Sequence, residues 1–351
     1  MTQGLGDGPG PGPEPDGGRG ENPAPAVSGP PVPSTRGRDR DWVGIAANAA
    51  SGRGGGRAKV RRLIRGLRER GLRARVAWTP GERSALVAES ADDPKCRCLV
   101  AVGGDGTVGA LVNEEPRVPI TVLPAGTENL FARHFRLSAN PAETAATAAS
   151  GHPVRTDVGL GPRRRFTLMA GFGFDADVVT RHHTARVRGG SARPTHRAMY
   201  VDPVLRASFA YKFPPITVTL SDPDSGREES LVGSTVFVFN LPRYALGLPF
   251  APTAVGDDGL LDVVVFRDPG PFRALHYLWL VVRGLHLDRP GVEHRKVKRA
   301  VVTAGELVPV QLDGDPAGYV NGDPASAWTT EVLPGAIDVL VPSRFAPPAG
   351  A

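Results

Sequence analysis

Three glycine-rich turns contain the residues best suited to chemistry. They span residues 48–56, 103–107 and 124–129, and each follows a strongly apolar run. Glycine lets backbone N–H groups approach a phosphate closely, and a helix that begins after the turn adds a favourable dipole. A single such turn is weak support, because a tight turn with a capping aspartate has the same sequence. Three of them in phase predict a phosphate-binding surface.

Within these turns, backbone amides and hydroxyls are the expected phosphate ligands. The hydroxyls of Ser51, Thr107 and Thr127 can donate to phosphate oxygens, whereas Asp105 would repel them. Asp105 is therefore expected either to hold a Mg²⁺ ion through water or to orient its loop. The predicted nucleotide-binding residues are Asn48, Ser51, Gly52, Gly103, Gly104, Asp105, Gly106, Thr107, Gly126, Thr127 and Asn129.

The elements that must position these turns alternate between strand and helix. Strand-like runs begin at residues 42, 73, 97 and 119, and helical patterns lie between them, as in Val60, Leu63, Ile64 and Leu67. This alternation predicts a parallel sheet with helices on both faces. Ligands of such sheets bind at the carboxyl ends of the strands, which is where all three glycine-rich turns fall.

The second half of the chain has a different pattern. After residue 156, short strand-like runs follow one another with turns between them, which predicts a mostly antiparallel β-sandwich. One apolar helix, at 270–286, interrupts them. The predicted fold class is therefore an α/β nucleotide-binding domain followed by an all-β domain.

Composition limits the classes of function. The chain has 351 residues, enough for about two domains, with a net charge of +6 and a pI of about 9.7, which favours acidic partners. It has no zinc-finger spacing or RNA-binding aromatic motif, so we expect no nucleic-acid partner. Without a long apolar run or a signal-peptide core, we expect a cytoplasmic protein. Residues 1–40, rich in Gly and Pro, are predicted to be a disordered tail.

Several motifs occur together in a recognisable order. "NAASG" (48–52), "GGDGT" (103–107) and "PAGTENLFAR" (124–133) are followed by "GFGFDADV" (171–178), and "GDDGLLDVVVF" and "VQLDGDPAG" come later. Together they resemble the diacylglycerol kinase catalytic-domain family, which includes bacterial lipid kinases and the sphingosine and ceramide kinases. GGDGT alone would not suffice, because NAD kinases and phosphofructokinases share it.

The resemblance implies a domain organisation. The nucleotide-binding domain would span 41–155 and the β-sandwich 156–325, with the active site in the cleft between them. Residues 326–342 would form a strand that returns to the first domain, and 343–351 a short tail.

The resemblance also implies roles for three aspartates. Asp313 would accept the proton of the attacking hydroxyl, Asp175 would orient or tune it, and Asp258 would bind a structural Mg²⁺ ion. From the residues alone, Asp313 and Asp258 could equally be turn aspartates. The chain departs from the family pattern where Leu130 replaces the aspartate of Asn-Asp-Phe, and whether Glu128 substitutes stays open. Asp315 replaces the glutamate of the late motif, Asp-Gly-Glu.

We therefore expect an ATP- and Mg²⁺-dependent kinase acting on a lipid hydroxyl, such as that of diacylglycerol or a sphingoid base. The alternatives are a kinase of a soluble alcohol, an NAD-kinase-like enzyme, or a nucleotide-binding regulatory protein that has lost catalysis. A lipid substrate implies peripheral contact with the inner membrane face. The basic helix at 57–70 and the apolar helix at 270–286 are the candidate surfaces. The sequence leaves the oligomeric state open.

Overall fold

The computed structural model describes residues 40–48, 56–188, 209–221 and 226–345. The predicted tail up to residue 39, its C-terminal counterpart from 346, and the predicted ligands Ser51 and Gly52 lie outside the described residues. Among the helices that are described, none is long and apolar enough to cross a membrane.

Four parallel strands form the centre of the first half of the chain, in the order β2-β1-β3-β4. The strands are β1 (Trp42–Ala47), β2 (Arg73–Ala77), β3 (Cys96–Gly103) and β4 (Ile120–Pro124). The helices are α1 (Gly56–Arg68), α2 (Pro80–Asp92), α3 (Asp105–Val112), α4 (Leu130–His134) and α5 (Pro141–Ser150).

Side chains of β1 alternate between two separate cores. Val43 and Ile45 pack in one core with the apolar residues of α1 and α5. Trp42 and Ala46 pack in the other core with those of α2 and α3. A strand that is buried on both faces reads as a continuous apolar run, which is what β1 shows. The predicted parallel sheet with helices on both faces is confirmed.

The second half of the chain forms a sandwich, as predicted. Its strands are β5 (His152–Leu160), β6 (Arg165–Phe166), β7 (Met169–Gly173), β8 (Ile216–Ser221), β9 (Glu228–Gly233), β10 (Thr235–Phe239), β11 (Leu261–Phe266), β12 (Val292–Val297), β13 (Arg299–Ala304), β14 (Val308–Leu312), β15 (Asp315–Val320) and β16 (Trp328–Val341). Two helices, α6 (Phe174–Arg188) and α7 (Pro271–Arg283), accompany them. Six strands form an antiparallel sheet in the order β12-β11-β10-β7-β14-β15. It packs through Phe172, Val238 and Leu312 against Val218 and Val302 of the other sheet.

The last strand, β16, pairs with strands of both halves. Near its beginning, Glu331 pairs with Arg299 of β13, and near its end Val339 pairs in parallel with Ile120 of β4. A register shift divides these two parts of β16. One ten-stranded sheet therefore runs through both halves, with the path β2-β1-β3-β4-β16-β13-β8-β9. This shared sheet positions the strand ends of the first half relative to the sandwich.

Candidate active site

The second and third glycine-rich turns lie in direct backbone contact. A Cβ atom on Gly126 would lie 2.5 Å from the Cα atom of Gly104, and a Cβ on Gly104 would lie 3.1 Å from the Cα of Gly126. The N–H of Ala125 also donates to the carbonyl of Gly103 at 2.8 Å. Glycine is required here for close packing of the turns. Together they form one backbone surface at the carboxyl ends of β3 and β4.

Asp105, the first residue of α3, holds the third turn in place. Its Oδ1 accepts the N–H of Phe131 at 2.9 Å, and its Oδ2 accepts the N–H of Leu130 at 3.0 Å. Burial raises the pKa of Asp105, and the Phe131 and Leu130 amides act in the opposite direction. The carboxylate thus caps the start of α4, so of the two roles predicted for Asp105 the structure shows the loop-orienting one. The Mg²⁺ role stays a prediction.

The third turn is closed by its own asparagine. Asn129 has a left-handed backbone, with φ of 52°, and its side chain both accepts from the N–H and donates to the carbonyl of Gly126, each at 2.8 Å. The Nζ of Lys59 donates to the carbonyl of Pro124 at 2.8 Å, so α1 supports the same turn. Asn129 therefore shapes the turn, while Thr127 is exposed at its tip.

A cavity of about 180 Å³ opens beside these turns. It is lined by Asn48 after β1, by Trp78 and Thr79 after β2, and by Gly106 and Thr107 of α3. A larger cavity, of about 330 Å³, lies between α5 and the C-terminal residues, and no glycine-rich turn contributes to it. The smaller cavity is the one at the carboxyl ends of the parallel strands, where ligands of such sheets bind. The Trp78 ring forms part of its wall, with the Arg57 guanidinium 5.7 Å from the ring centroid.

The late Asp-Gly-Asp motif faces α3 from the sandwich. A Cβ atom on Gly109 would lie 3.7 Å from Oδ2 of Asp313, and a Cβ on Gly106 would lie 4.0 Å from Oδ2 of Asp315. The missing side chains on this face of α3 leave room for the two carboxylates. The motif therefore lies directly beside the helix that begins at Asp105, and we call the boundary between them the cleft.

Asp313 accepts hydrogen bonds from the three residues that lead into β7. Its Oδ2 accepts from the N–H and the hydroxyl of Thr167, at 2.7 and 3.0 Å. Its Oδ1 accepts the N–H groups of Leu168 and Met169, at 2.8 and 3.1 Å. Burial raises the pKa of Asp313, and these four hydrogen bonds act in the opposite direction. Asp313 therefore anchors the turn between β14 and β15, and its role as the proton acceptor stays a prediction.

Asp315 carries the accessible carboxylate of the motif. Its side chain is 47% exposed, and the Nη1 atom of Arg164 lies 3.9 Å from its Oδ2. The Nη2 atom of Arg164 donates to the carbonyls of Leu312 and Asp315, at 3.0 and 3.2 Å. Arg164 thus fixes the backbone of this turn while the Asp315 carboxylate stays open to the cleft.

Asp175 joins this turn through a glutamine. The Nε2 atom of Gln311 donates to Oδ2 of Asp175 at 2.8 Å, and the N–H of Gly314 donates to Oε1 of Gln311 at 2.8 Å. Burial raises the pKa of Asp175 to about 6, although hydrogen bonds from Gln311 and Tyr244 lower it. Asp175 is therefore linked to the residue next to Asp313, consistent with the orienting role implied by the resemblance.

Glu128 has a partner in the second half of the chain. Its two carboxylate oxygens accept the N–H of Leu246 at 3.1 and 2.9 Å. Leu246 lies in a left-handed conformation, with φ of 61°. Glu128 therefore braces the loop after Tyr244, and whether it also substitutes for the aspartate lost at Leu130 stays open.

Asp258 pairs with a lysine. The Nζ atom of Lys296 lies 2.6 Å from Oδ2 of Asp258, 3.3 Å from Oδ2 of Asp262 and 3.1 Å from the carbonyl of Thr253. The ammonium group thus occupies the centre of the oxygen set that a cation would need. In the part of the chain that is described, no three His, Cys, Asp or Glu side chains are arranged to hold a metal ion. The Asp258 site does not fit a bound Mg²⁺ while Lys296 is in place.

Comparison with known proteins agrees with this geometry. Residues 43–160 match the family described as the diacylglycerol kinase catalytic domain, and residues 169–341 match the YegS C-terminal NAD kinase beta sandwich-like domain. The chain belongs to the diacylglycerol kinase catalytic-domain family. The predicted resemblance is thereby confirmed.

Individual relatives of this diacylglycerol kinase family member support the assignment. A probable lipid kinase YegS-like protein of Chromohalobacter salexigens is 28% identical over 298 residues, which are 82% of this chain and 90% of the relative. A diacylglycerol kinase of Mycobacterium tuberculosis is 27% identical over 270 residues, 74% and 80% of the two chains. The crystal structure of a diacylglycerol kinase from Bacillus anthracis has a TM-score of 0.63 at 19% identity, covering 89% of this chain and 100% of that one, and shows the shared fold.

Two features of the candidate site do not follow from the sequence analysis. From the sequence, Asp315 is only a replacement for the glutamate of the late motif, and Gln311, which links Asp175 to that motif, has no predicted role. Gln311 is a fully buried polar residue in the otherwise apolar strand β14. An amide within an apolar strand next to the Asp-Gly-Asp motif is the signal from which Gln311 could have been found.

Proposed function

We propose that this protein transfers the γ-phosphate of ATP to the hydroxyl group of a lipid of the diacylglycerol type. The observation that supports the proposal most directly is the accessible Asp315 carboxylate, which faces the first turn of α3 beside the joined glycine-rich turns. Phosphate binding and a proton acceptor for an alcohol are the two parts that phosphoryl transfer requires. Kinase names among the relatives support the same class of reaction.

In the proposed mechanism, backbone N–H groups of the joined turns bind the phosphates, and the cavity beside Trp78 receives the base. Asp105 is the residue predicted to hold a Mg²⁺ ion through water, and such an ion would supply neutralisation of the phosphate charge. Asp315 accepts the hydroxyl proton as the new O–P bond forms, and the bond to the ADP oxygen breaks. Asp313 and Arg164 hold Asp315 at the cleft. We infer that Asp315, with its open oxygens, is better suited to this transfer than the fully engaged Asp313.

A labelling experiment tests the acceptor. The purified protein is incubated with γ-labelled ATP and Mg²⁺, in parallel with vesicles containing diacylglycerol, sphingosine or ceramide, and with glycerol and NAD in solution. We expect label in the extracted diacylglycerol fraction. Label in glycerol or NAD would show a kinase of a soluble acceptor instead. ATP binding without any labelled acceptor would support the regulatory-protein alternative.

A further inference from the structure

Helix α7 exposes an apolar face that no described residue covers fully. Phe272, Trp279 and Val282 have exposed fractions of 76%, 53% and 56%, and Leu285, just after the helix, is 40% exposed. Positions 272 and 279 are two helical turns apart and lie on the same side. The opposite side, with Tyr277, packs in the core. The helix therefore has a packed side and an apolar side turned outwards.

A second segment extends this surface. Phe209 is 62% exposed, and its ring lies edge-on to Phe272 with centroids 5.9 Å apart. Aromatic side chains from two separate parts of the chain thus form one patch. We call Phe209, Phe272, Trp279, Val282 and Leu285 the α7 patch.

A basic side chain borders the α7 patch. Between Asp268 and Asp288 the sequence has no acidic residue, and it has the basic residues Arg273 and Arg283. The guanidinium of Arg283 lies 5.7 Å from the centroid of the Trp279 ring, so positive charge borders the apolar surface directly. Asp268 accepts the Tyr277 hydroxyl at 2.8 Å and lies 3.7 Å from the Arg273 guanidinium, so Arg273 is paired and Arg283 is the basic side chain at the patch.

We propose that the α7 patch docks this protein on an anionic lipid bilayer. Phe, Trp and aliphatic side chains enter the headgroup boundary, while Arg283 contacts anionic headgroups. The positive charge of Arg283 beside Trp279 favours this occupant over a second copy of the chain, because two such patches would place like charges together. The proposal rests on the proposed lipid kinase function for its purpose, since the acceptor lies in a bilayer.

Vesicle binding without nucleotide tests the proposal. The double variant Phe272→Ser/Trp279→Ser is compared with the wild type in co-sedimentation with phosphatidylcholine vesicles that contain or lack phosphatidylglycerol. The matched control is Leu307→Ser/Tyr319→Ser, which removes two apolar side chains of similar exposure, 61% and 50%, from the sandwich. We expect at least about tenfold weaker binding for the α7 variant, because two buried side chains are lost from the bilayer contact. The control should bind as the wild type does.

Depth and activity provide two further readouts. Of the four tryptophans, Trp42 and Trp328 are buried and Trp78 lines the 180 Å³ cavity, so brominated lipids should quench Trp279 and the Trp279 variant should lose that quenching. A water-soluble short-chain diacylglycerol should be phosphorylated equally by the wild type and the α7 variant. Retained activity on it with unchanged vesicle binding in the variant would overturn the docking proposal and leave the proposed function standing. Loss of vesicle binding in the variant, together with no kinase activity in the wild type, would support the docking proposal and overturn the proposed function.

Two further results would also overturn the proposal. One is an equal loss of vesicle binding in the Leu307/Tyr319 control. The other is a dimer, seen by sedimentation velocity without lipid, that the α7 variant abolishes while its vesicle binding stays intact.

Discussion

At the late motif, two carboxylates two residues apart meet different surroundings. Asp313 accepts four hydrogen bonds from residues 167–169, while Asp315 has one distant arginine and an open side towards α3. A carboxylate whose oxygens are engaged by backbone amides stabilises a turn, and one with free oxygens can receive a proton. The two residues are therefore separable by experiment.

Asparagine substitutions at the two positions should change different properties, turnover at Asp315 and stability at Asp313. Asp315→Asn should lower kcat by about 10²–10⁴-fold with the KM for ATP and the melting temperature unchanged, because only the proton acceptor is lost. Asp313→Asn should lower the free energy of unfolding by about 1–3 kcal/mol, because its amide group would face N–H donors. Steady-state kinetics and urea unfolding measure both. Full turnover in Asp315→Asn, with a loss in a stably folded Asp313→Asn, would return the role to Asp313.

Asp175 predicts a pH dependence of stability. Burial raises its pKa in the folded state to about 6, above the unfolded value near 3.8, so the folded state binds more protons between these values. Stability from this group is therefore present below pH 4 and lost as the pH rises through 6, by about 2–3 kcal/mol. Relative to the wild type, Asp175→Asn should gain that amount between pH 4 and pH 7. A constant difference across urea unfolding curves in this range would contradict the assignment.

At the scale of elements, the joined turns and α3 form the proposed phosphate site. A side chain at Gly104 would contact the backbone of Gly126, so a substitution there would change both the packing of the turns and the affinity for a ligand. Gly106 is exposed and faces the cleft, where its absent side chain leaves space between α3 and Asp315. Gly106 is therefore the position at which a side chain tests the site without disturbing the turns.

Gly106→Val should weaken ATP binding at least about tenfold, because its branched side chain would enter the cleft beside the 180 Å³ cavity. The matched control is Gly81→Val, since Gly81 is likewise the second residue of a helix and has no other atom within 4 Å of an added Cβ. The cost of valine in a helix is then the same in both variants. Calorimetric titration with ATP measures the effect. Equal ATP affinity in the two variants would contradict the proposal that this turn binds phosphate.

Much of the fold follows from local sequence patterns, but the partners of single polar groups do not. The buried run of β1 and the spacing of Val60, Leu63 and Leu67 in α1 predict their elements, because period and apolarity are local. The role of Asp105 depends on α4 amides 25 residues away, so its sequence left two roles open. Lys296 of β12 pairs with Asp262 of β11. These strands are connected through α7 and not by a tight turn, so no local sequence pattern specifies their register. For that reason the lysine at the predicted metal site could not be found from the sequence.

The ion pair between Lys296 and Asp258 predicts how this site responds to metal ions. Lys296→Ala should lower the free energy of unfolding by about 1.5–3 kcal/mol, because the buried Asp262 loses its ammonium partner but keeps Thr253 and His294 at its Oδ1 atom. Millimolar Mg²⁺ should restore part of this loss, since oxygen ligands remain, and should not raise the melting temperature of the wild type. Lys298→Ala, at an exposed lysine two residues on, is the control. A Mg²⁺-dependent rise in the wild type that Asp258→Asn abolishes would show instead that Asp258 binds metal.

At the scale of the whole molecule, one sheet carries both halves of the proposed site. β16 pairs with β4, and the third turn follows the end of β4. β16 also pairs with β13 of the sandwich. The sheet that carries the Asp313–Asp315 turn packs against β13. The hydrogen bond from the Leu246 N–H to Glu128 adds a second connection. The glycine-rich turns and the Asp315 carboxylate are therefore held at a set separation, which in the proposed function would position the phosphate and the hydroxyl for transfer.

We propose that this molecule moves the terminal phosphate of ATP to a lipid hydroxyl with Asp315 as the proton acceptor. To test this, diacylglycerol vesicles are supplied with ATP labelled at either the γ- or the α-phosphate, and label is counted in the organic extract. We expect label in the phosphorylated lipid from γ-labelled ATP alone, reduced about 10²–10⁴-fold in Asp315→Asn. Lipid label from α-labelled ATP, or undiminished label in Asp315→Asn, would contradict it.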